Sequence, residues 1–301
     1  MFLFCGIKKK KMDLVMTYVN GSDQDYVNKK GRYITALVQA HNPSVRHEEL
    51  GEISWAIKSI LKYIPWIRTI YVITDSQAVP MADPKVVVID HTDIIPPQYL
   101  PTFNSDVIES YMHLIPNLSE IFLYDNDDTF HLDHIAPRDI YEPRENLETM
   151  LKIKSRFNLN ILLNKATEYS KRLCLSSTLL LDKYPQIELI NNHHTKVLRK
   201  STLGYLEKEH REWLEPMRLS KFRGDNYIQY LFVALSMDHY LHRNQVSYDF
   251  SEVAEVHLGN KKYEEGFFER YKSKKLKFVC FNSMDSSYKE AFEKFMGHFI
   301  P

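Results

Sequence analysis

The sequence predicts an α/β fold: a mostly parallel β-sheet flanked by helices, with a more helical C-terminal half. Three observations predict it. Short β-rich runs alternate with segments of helical period as far as residue 130. Polar clusters follow those runs directly, where parallel sheets bind ligands. Beyond residue 150 the pattern turns largely helical.

The elements follow in order. Asp13 to Val19 (DLVMTYV) reads as a strand, stopped by the turn signal Asn20-Gly21-Ser22-Asp23. Glu49 to Ile64 has helical spacing in Leu50, Ile53, Ile57, Ile60, Leu61 and Ile64, and Pro65 ends it. Arg68 to Thr74 and Lys85 to Asp90 are β-rich runs leading to Asp75 and His91. Ser105 to Ile115 is helical in spacing and stops before Pro116. Ile121 to Tyr124 is a further strand. Leu151 to Leu181 reads as mainly helical, and Asn226 to Leu241 as a buried helix with Asp225 as its N-cap. Lys277 to Asn282 suits a late strand and Tyr288 to Phe299 a final amphipathic helix. There are no internal repeats. The chain reads as a tail (1–12) and a single domain (13–301) of two halves, 13–140 and 141–301; a boundary between them, if present, falls near 140–155.

Composition narrows the function. The chain has 301 residues, 44% hydrophobic, enough for one large core. Lys plus Arg and Asp plus Glu are 39 each, so no global field favours nucleic acid. Cys5, Cys174 and Cys280 are far apart and odd in number, without disulfide or zinc spacing, as in a reducing compartment. In MFLFCGIKKKKM the charges follow the apolar run, the reverse of a signal peptide. No stretch approaches the ~18–20 apolar residues of a membrane span. The expectation is a cytoplasmic protein, peripheral to the inner membrane face at most through Lys8 to Lys11.

The densest chemical signal is IFLYDNDDTF (121–130), where an apolar run enters Asp125, Asn126, Asp127 and Asp128. Like charges so close repel, and enclosure strips their hydration. Asp127 and Asp128 suit Mg²⁺ or Mn²⁺, hard cations that bridge carboxylates to phosphates. An acidic surface turn is the competing reading. His193 and His194 offer a base or proton donor, against a solvated loop. Arg46, Lys58, Arg68 and Arg223 suit phosphate, against surface ion pairs. No Gly-rich phosphate loop is present.

Taken together, these segments resemble the Stealth family of hexose-1-phosphotransferases, which act in bacterial capsule synthesis and include the animal lysosomal-enzyme N-acetylglucosamine-1-phosphotransferase. MTYVNGSD (16–23) resembles its first block. EISWAIKSILKYIPWIRTIYVITD (52–75) and IDHTDIIPPQYLPTFNSDVIESYMHLIPNLSEIFLYDNDDTF (89–130) resemble its second. HHTKVLRK (193–200) is similar to a third, with Thr195 where Pro is usual, and KFRGDNYIQYLFVAL (221–235) and KFVCFN (277–282) to a fourth. The chain ends near the close of that block, as in a minimal family member.

The resemblance implies a Rossmann-like (GT-A-like) sheet whose first half binds a nucleotide sugar. It implies transfer of a sugar-1-phosphate to a hydroxyl of an oligo- or polysaccharide acceptor, alongside other polysaccharide-synthesis proteins. The expected donor is a UDP-hexose or UDP-N-acetylhexosamine, with UMP leaving. Glu109, Asp128, His193 and Arg223 match the catalytic positions. Asn20, Asp23, Arg46, Glu52 and Lys58 match positions that help hold the nucleotide and diphosphate. The rival readings are a metal-dependent glycosyltransferase releasing UDP and a non-catalytic assembly subunit.

Overall fold

The computed structural model describes residues 12–34, 50–143, 149–155, 167–249, 251–257, 268–272, 275–282 and 284–301. In chain order the elements that build the site are β1 (Asp13–Thr17), α1 (Gln24–Gly31), α2 (Glu52–Tyr63), β2 (Ile70–Thr74), β3 (Val86–Asp90), α3 (His91–Ile94), α4 (Ser105–Glu109), β4 (Ile121–Asn126) and β5 (Thr129–His131). There follow α5 (Pro137–Ile140), β6 (Tyr141–Pro143), β7 (Thr149–Lys154), α6 (Glu168–Lys183), β8 (Lys196–Arg199), α7 (Lys200–Glu209), α8 (Arg211–Arg218) and α9 (Tyr230–His242). Last come β9 (Gln245–Ser247), β10 (Val253–His257), α10 (Glu269–Lys272), β11 (Phe278–Asn282) and α11 (Lys289–Phe299).

The main sheet has the order β3-β2-β1-β4-β8. Its first four strands are parallel, and β8 closes it antiparallel to β4. The mostly parallel sheet expected from the alternation is thus present. Leu14, Val15, Met16, Ile70, Val72, Ile73, Phe122 and Leu123 are fully buried, as strands covered on both faces require. At the start of β1 the buried Asp13 receives the Arg68 guanidinium and the Ser119 amide, 2.7 Å away.

Two further three-stranded sheets, β10-β11-β5 and β6-β7-β9, lie beyond it. The chain leaves β4 through the turn Asp127-Asp128 and enters β5, which pairs antiparallel with β11. The acidic turn therefore joins two sheets. α2 buries Ile53, Ala56, Ile57 and Ile60 and is tied to β5 by His131 N–H donating to Ser59 Oγ at 3.1 Å. α9 is buried from Tyr230 to Asp238, and its one acid, Asp238, accepts from Arg199 and Thr202.

Several boundaries differ from the sequence expectation. The 105–115 segment is a helix only to Glu109, followed by a 3₁₀ turn at Met112–Leu114. Residues 149–154 form a strand in which Ile153 is buried, where helix was expected, and among the described residues of this region the helix is Glu168–Lys183. Asp225 does not cap α9, which starts at Tyr230; it pairs with Lys171 at 2.6 Å. The second half is the more helical, yet it supplies β8 to the main sheet. Among the described residues no helix is long and apolar enough to cross a membrane.

Candidate active site

Parallel register gathers the four strand ends on one rim. Thr17 stands beside Ile73 and Asn126, and Thr74 beside Asp90. Part of the rim's polarity is spent on building it. Asn20 exchanges backbone hydrogen bonds with the Gln77 amide at 2.9 and 2.8 Å, and its Oδ1 accepts from Ser22 N–H. Asp23 caps α1 by accepting from Tyr26 N–H at 2.8 Å. Asp75 holds Lys29 at 2.8 Å. Burial pushes the Asp90 carboxyl up, but hydrogen bonds from Ser76 and Thr92 outweigh it and hold it down at about 2.

Asn104 caps the short α4, which turns Asp106 and Glu109 onto one face, three residues apart. Asp106 is held by Arg172 and by Tyr230 N–H. Glu109, also buried, accepts from the Tyr124 hydroxyl at 3.0 Å, and that hydroxyl lies 3.0 Å from Thr17 Oγ1. Its second oxygen, Oε2, has no hydrogen-bond partner among the described residues. Burial, then the charge of Asp106, pushes the Glu109 carboxyl up to about 8, against the pull of Arg223, Lys196 and Tyr124.

Asp128 sits in the inter-sheet turn. Its carbonyl accepts from Phe281 N–H at 3.1 Å, and its Oδ1 from the Cys280 thiol at 3.4 Å. Burial raises this carboxyl too, while Cys280, Lys196 and Arg223 act the other way. The same two cations therefore act on both Glu109 and Asp128. The four side chains form one electrostatic group of two carboxyls and two cations.

Each cation has a built position. Lys196 is the cross-strand partner of Tyr124, with its ammonium 5.5 Å from that ring and donating to His194 carbonyl at 3.2 Å. Arg223 donates to Ser105 Oγ at 2.6 Å. Its loop is pinned to the start of α4. Phe222 stacks on Phe103 at 5.1 Å, and the Tyr227 hydroxyl meets both Asn104 Nδ2 and Gly224 N–H.

The other expected residues are placed as follows. His193 packs its ring 5.5 Å from Tyr169 of α6. Glu52 opens α2 and accepts from Leu50 N–H at 3.2 Å. Lys58 is exposed on α2, with its ammonium 4.7 Å from the Trp55 ring. Arg46 lies outside the described residues. Asp127 is half-buried beside Asp128. Among the described residues no three His, Cys, Asp or Glu side chains converge on one metal position. The third carboxylate of the acidic run, Asp125, is fully buried and meets His131 Nε2 at 2.8 Å.

Sequence reasoning missed Lys196, Tyr124 and Cys280. A lysine at the head of the β-rich run Val197-Leu198 was the available sign for Lys196; nothing local distinguished the other two.

Stealth protein conserved region 2 matches residues 46–149, the stretch that carries Glu52, Lys58, Glu109, Asp127 and Asp128. A capsular polysaccharide phosphotransferase of Haemophilus influenzae is 35% identical over 227 residues, 71% of this chain and 61% of that protein. Residues 46–149 thus carry the Stealth family's conserved region 2. Another similar protein is a capsular polysaccharide phosphotransferase of Actinobacillus pleuropneumoniae, 32% identical over 74% of this chain and 64% of its own length. The chain thus spans somewhat under two thirds of the length of these relatives. Among solved structures, a galactosyltransferase in complex with donor and acceptor sugar analogs aligns over 96% of this chain and 97% of its own, at 10% identity and a TM-score of 0.47.

Proposed function

We propose that this chain transfers a sugar-1-phosphate from a nucleotide sugar to a hydroxyl of an oligo- or polysaccharide acceptor, in capsule or exopolysaccharide synthesis. The donor class is a UDP-hexose or UDP-N-acetylhexosamine. The observation that carries the reading is the 35% identity to a capsular polysaccharide phosphotransferase over 71% of the chain. The positive charges of Lys196 and Arg223, both of which favour the ionised forms of Glu109 and Asp128, support it.

In this reading the acceptor oxygen attacks the sugar-side phosphorus. A new P–O bond forms, the bond to the bridging oxygen breaks, and UMP departs. Asp128 or His193 takes the hydroxyl proton. Arg223 and Lys196 neutralise charge on the non-bridging oxygens, where fixed cations lower the barrier. Glu109, raised to about 8 and carrying an unpartnered oxygen, holds or moves a proton beside them.

Asp127 and Asp128 are adjacent hard oxygen donors, a set that fits Mg²⁺ or Mn²⁺ shared with phosphate oxygens and water. Such an ion would neutralise diphosphate charge when bound. Asn20, Asp23, Arg46, Glu52 and Lys58 would help hold the nucleotide and diphosphate. Residues 13–140 would bind the nucleotide sugar, and 141–301 would close the site through Lys196 and Arg223. The reaction would run in the cytoplasm, at the inner membrane face, beside other polysaccharide-synthesis proteins.

Phosphorus NMR of the acceptor product tests the reading. A phosphodiester resonance, with two carbon couplings to the two sugars, is expected. An extended acceptor without phosphorus would overturn it.

A further inference from the structure

A cavity of about 250 Å³ lies where residues of the three sheets meet. Ile140 of α5, Ile153 of β7, Val197 of β8 and Phe278 of β11 line it, so all three sheets contribute. Its size is just below the ~300–1,000 Å³ of pockets for drug-sized ligands. It has room for one six-membered sugar ring and is too small for a nucleotide sugar.

Its lining is polar as well as apolar. Thr195 is 4% exposed, lines the cavity, and its hydroxyl has no hydrogen-bond partner among the described residues. A buried hydroxyl left so is costly unless an occupant completes it. The charges in the wall balance: Asp139 and Glu252 against Lys152 and Lys277, with Glu252 and Lys277 paired at 3.1 Å. A wall without net charge favours a neutral occupant over a phosphate. The His194 and Phe278 rings, 5.6 Å apart, offer flat apolar surface to the C–H face of a sugar.

The position is as informative as the lining. Phe278 and Cys280 share a face of β11, two residues and ~7 Å apart. Phe278 lines the cavity and the Cys280 thiol donates to Asp128.

We infer that this cavity is an acceptor subsite that holds one neutral pyranose ring, with the Thr195 hydroxyl bonded to the sugar. The acceptor role rests on the proposed transfer; the binding of a neutral sugar does not.

Saturation-transfer NMR on the full chain tests it. The probes are methyl glycosides of glucose, galactose, N-acetylglucosamine and N-acetylgalactosamine, with UMP present to occupy the nucleotide position. At least one glycoside gives a signal in the wild type. Thr195→Val, which keeps the volume and removes the hydroxyl, weakens it about five- to tenfold. Thr195→Ser restores it, and Ile153→Trp, which fills the cavity, abolishes it. Circular dichroism checks that each variant is folded, and Thr195→Val decides the matter if Ile153→Trp is not. Signals equal in wild type and Thr195→Val, or no signal from any glycoside, would overturn the inference; the second means that the cavity holds only water. Failure of the transfer reading shows elsewhere. A protein that binds glycosides through Thr195 but releases UDP keeps the cavity and loses the transfer. One that releases UMP but binds glycosides without regard to Thr195 loses only the cavity.

Discussion

Tyr124 donates its hydroxyl hydrogen to Glu109 Oε1 across 3.0 Å, in a pair that water scarcely reaches. The bond favours the ionised carboxylate and so opposes the burial that pushes Glu109 up to about 8. Removing the donor in Tyr124→Phe therefore raises Glu109 further. Whichever limb of the pH–rate profile Glu109 governs, its inflection lies near pH 8 in the wild type and at higher pH in the variant. The variant also loses roughly 1–3 kcal/mol of stability, read by urea unfolding.

The same carboxyl makes stability depend on pH. Its folded value lies above the ordinary 4.5, so the folded state binds this proton the more tightly. The stability it contributes is fully present below about pH 4.5 and is lost as pH rises through about 8. Glu109→Gln removes that dependence. Unfolding free energies measured from pH 5 to 9 should fall more steeply for the wild type than for the variant.

Asp125 and Asp128 stand three residues apart and have different work. Asp125 is sealed against His131, so Asp125→Ala leaves a buried imidazole without its partner and costs about 2–4 kcal/mol of unfolding free energy. Asp128 lies at the turn between sheets, and Asp128→Asn should keep the wild-type melting curve while turnover falls by at least ~100-fold. Equal melting losses in both would show that Asp128, too, is structural.

Lys196 is the test of the shared charge group. Lys196→Met keeps the stem against Tyr124 and removes the cation. Both carboxyls lose a favourable charge, so the Glu109 inflection moves to higher pH, and kcat falls about 10²–10³-fold. A variant with lower stability but an unchanged pH profile would restrict Lys196 to packing.

These residues also show what the sequence could reveal. The alternation of β-rich and helical runs forecast the parallel strands, because covered strands are continuously apolar and end in polar turns. Contiguous strings such as NDD announced themselves. Lys196 and Tyr124 did not, since their meeting is a cross-strand register 72 positions apart in the chain, and no local pattern encodes it. Asp125 looked like part of an ionic cluster because proximity in sequence says nothing of which face a strand residue takes. The 149–154 strand was hidden by its short length beside a long helical pattern.

The nucleotide released is the most direct measure of the central claim. Purified protein is given Mg²⁺, a panel of UDP-sugars and oligosaccharide acceptors, and UMP is separated from UDP by chromatography. Acceptor-dependent UMP is predicted, because attack at the sugar-side phosphorus leaves the nucleoside monophosphate behind. Acceptor-dependent UDP would place the broken bond at the sugar carbon and contradict sugar-1-phosphate transfer.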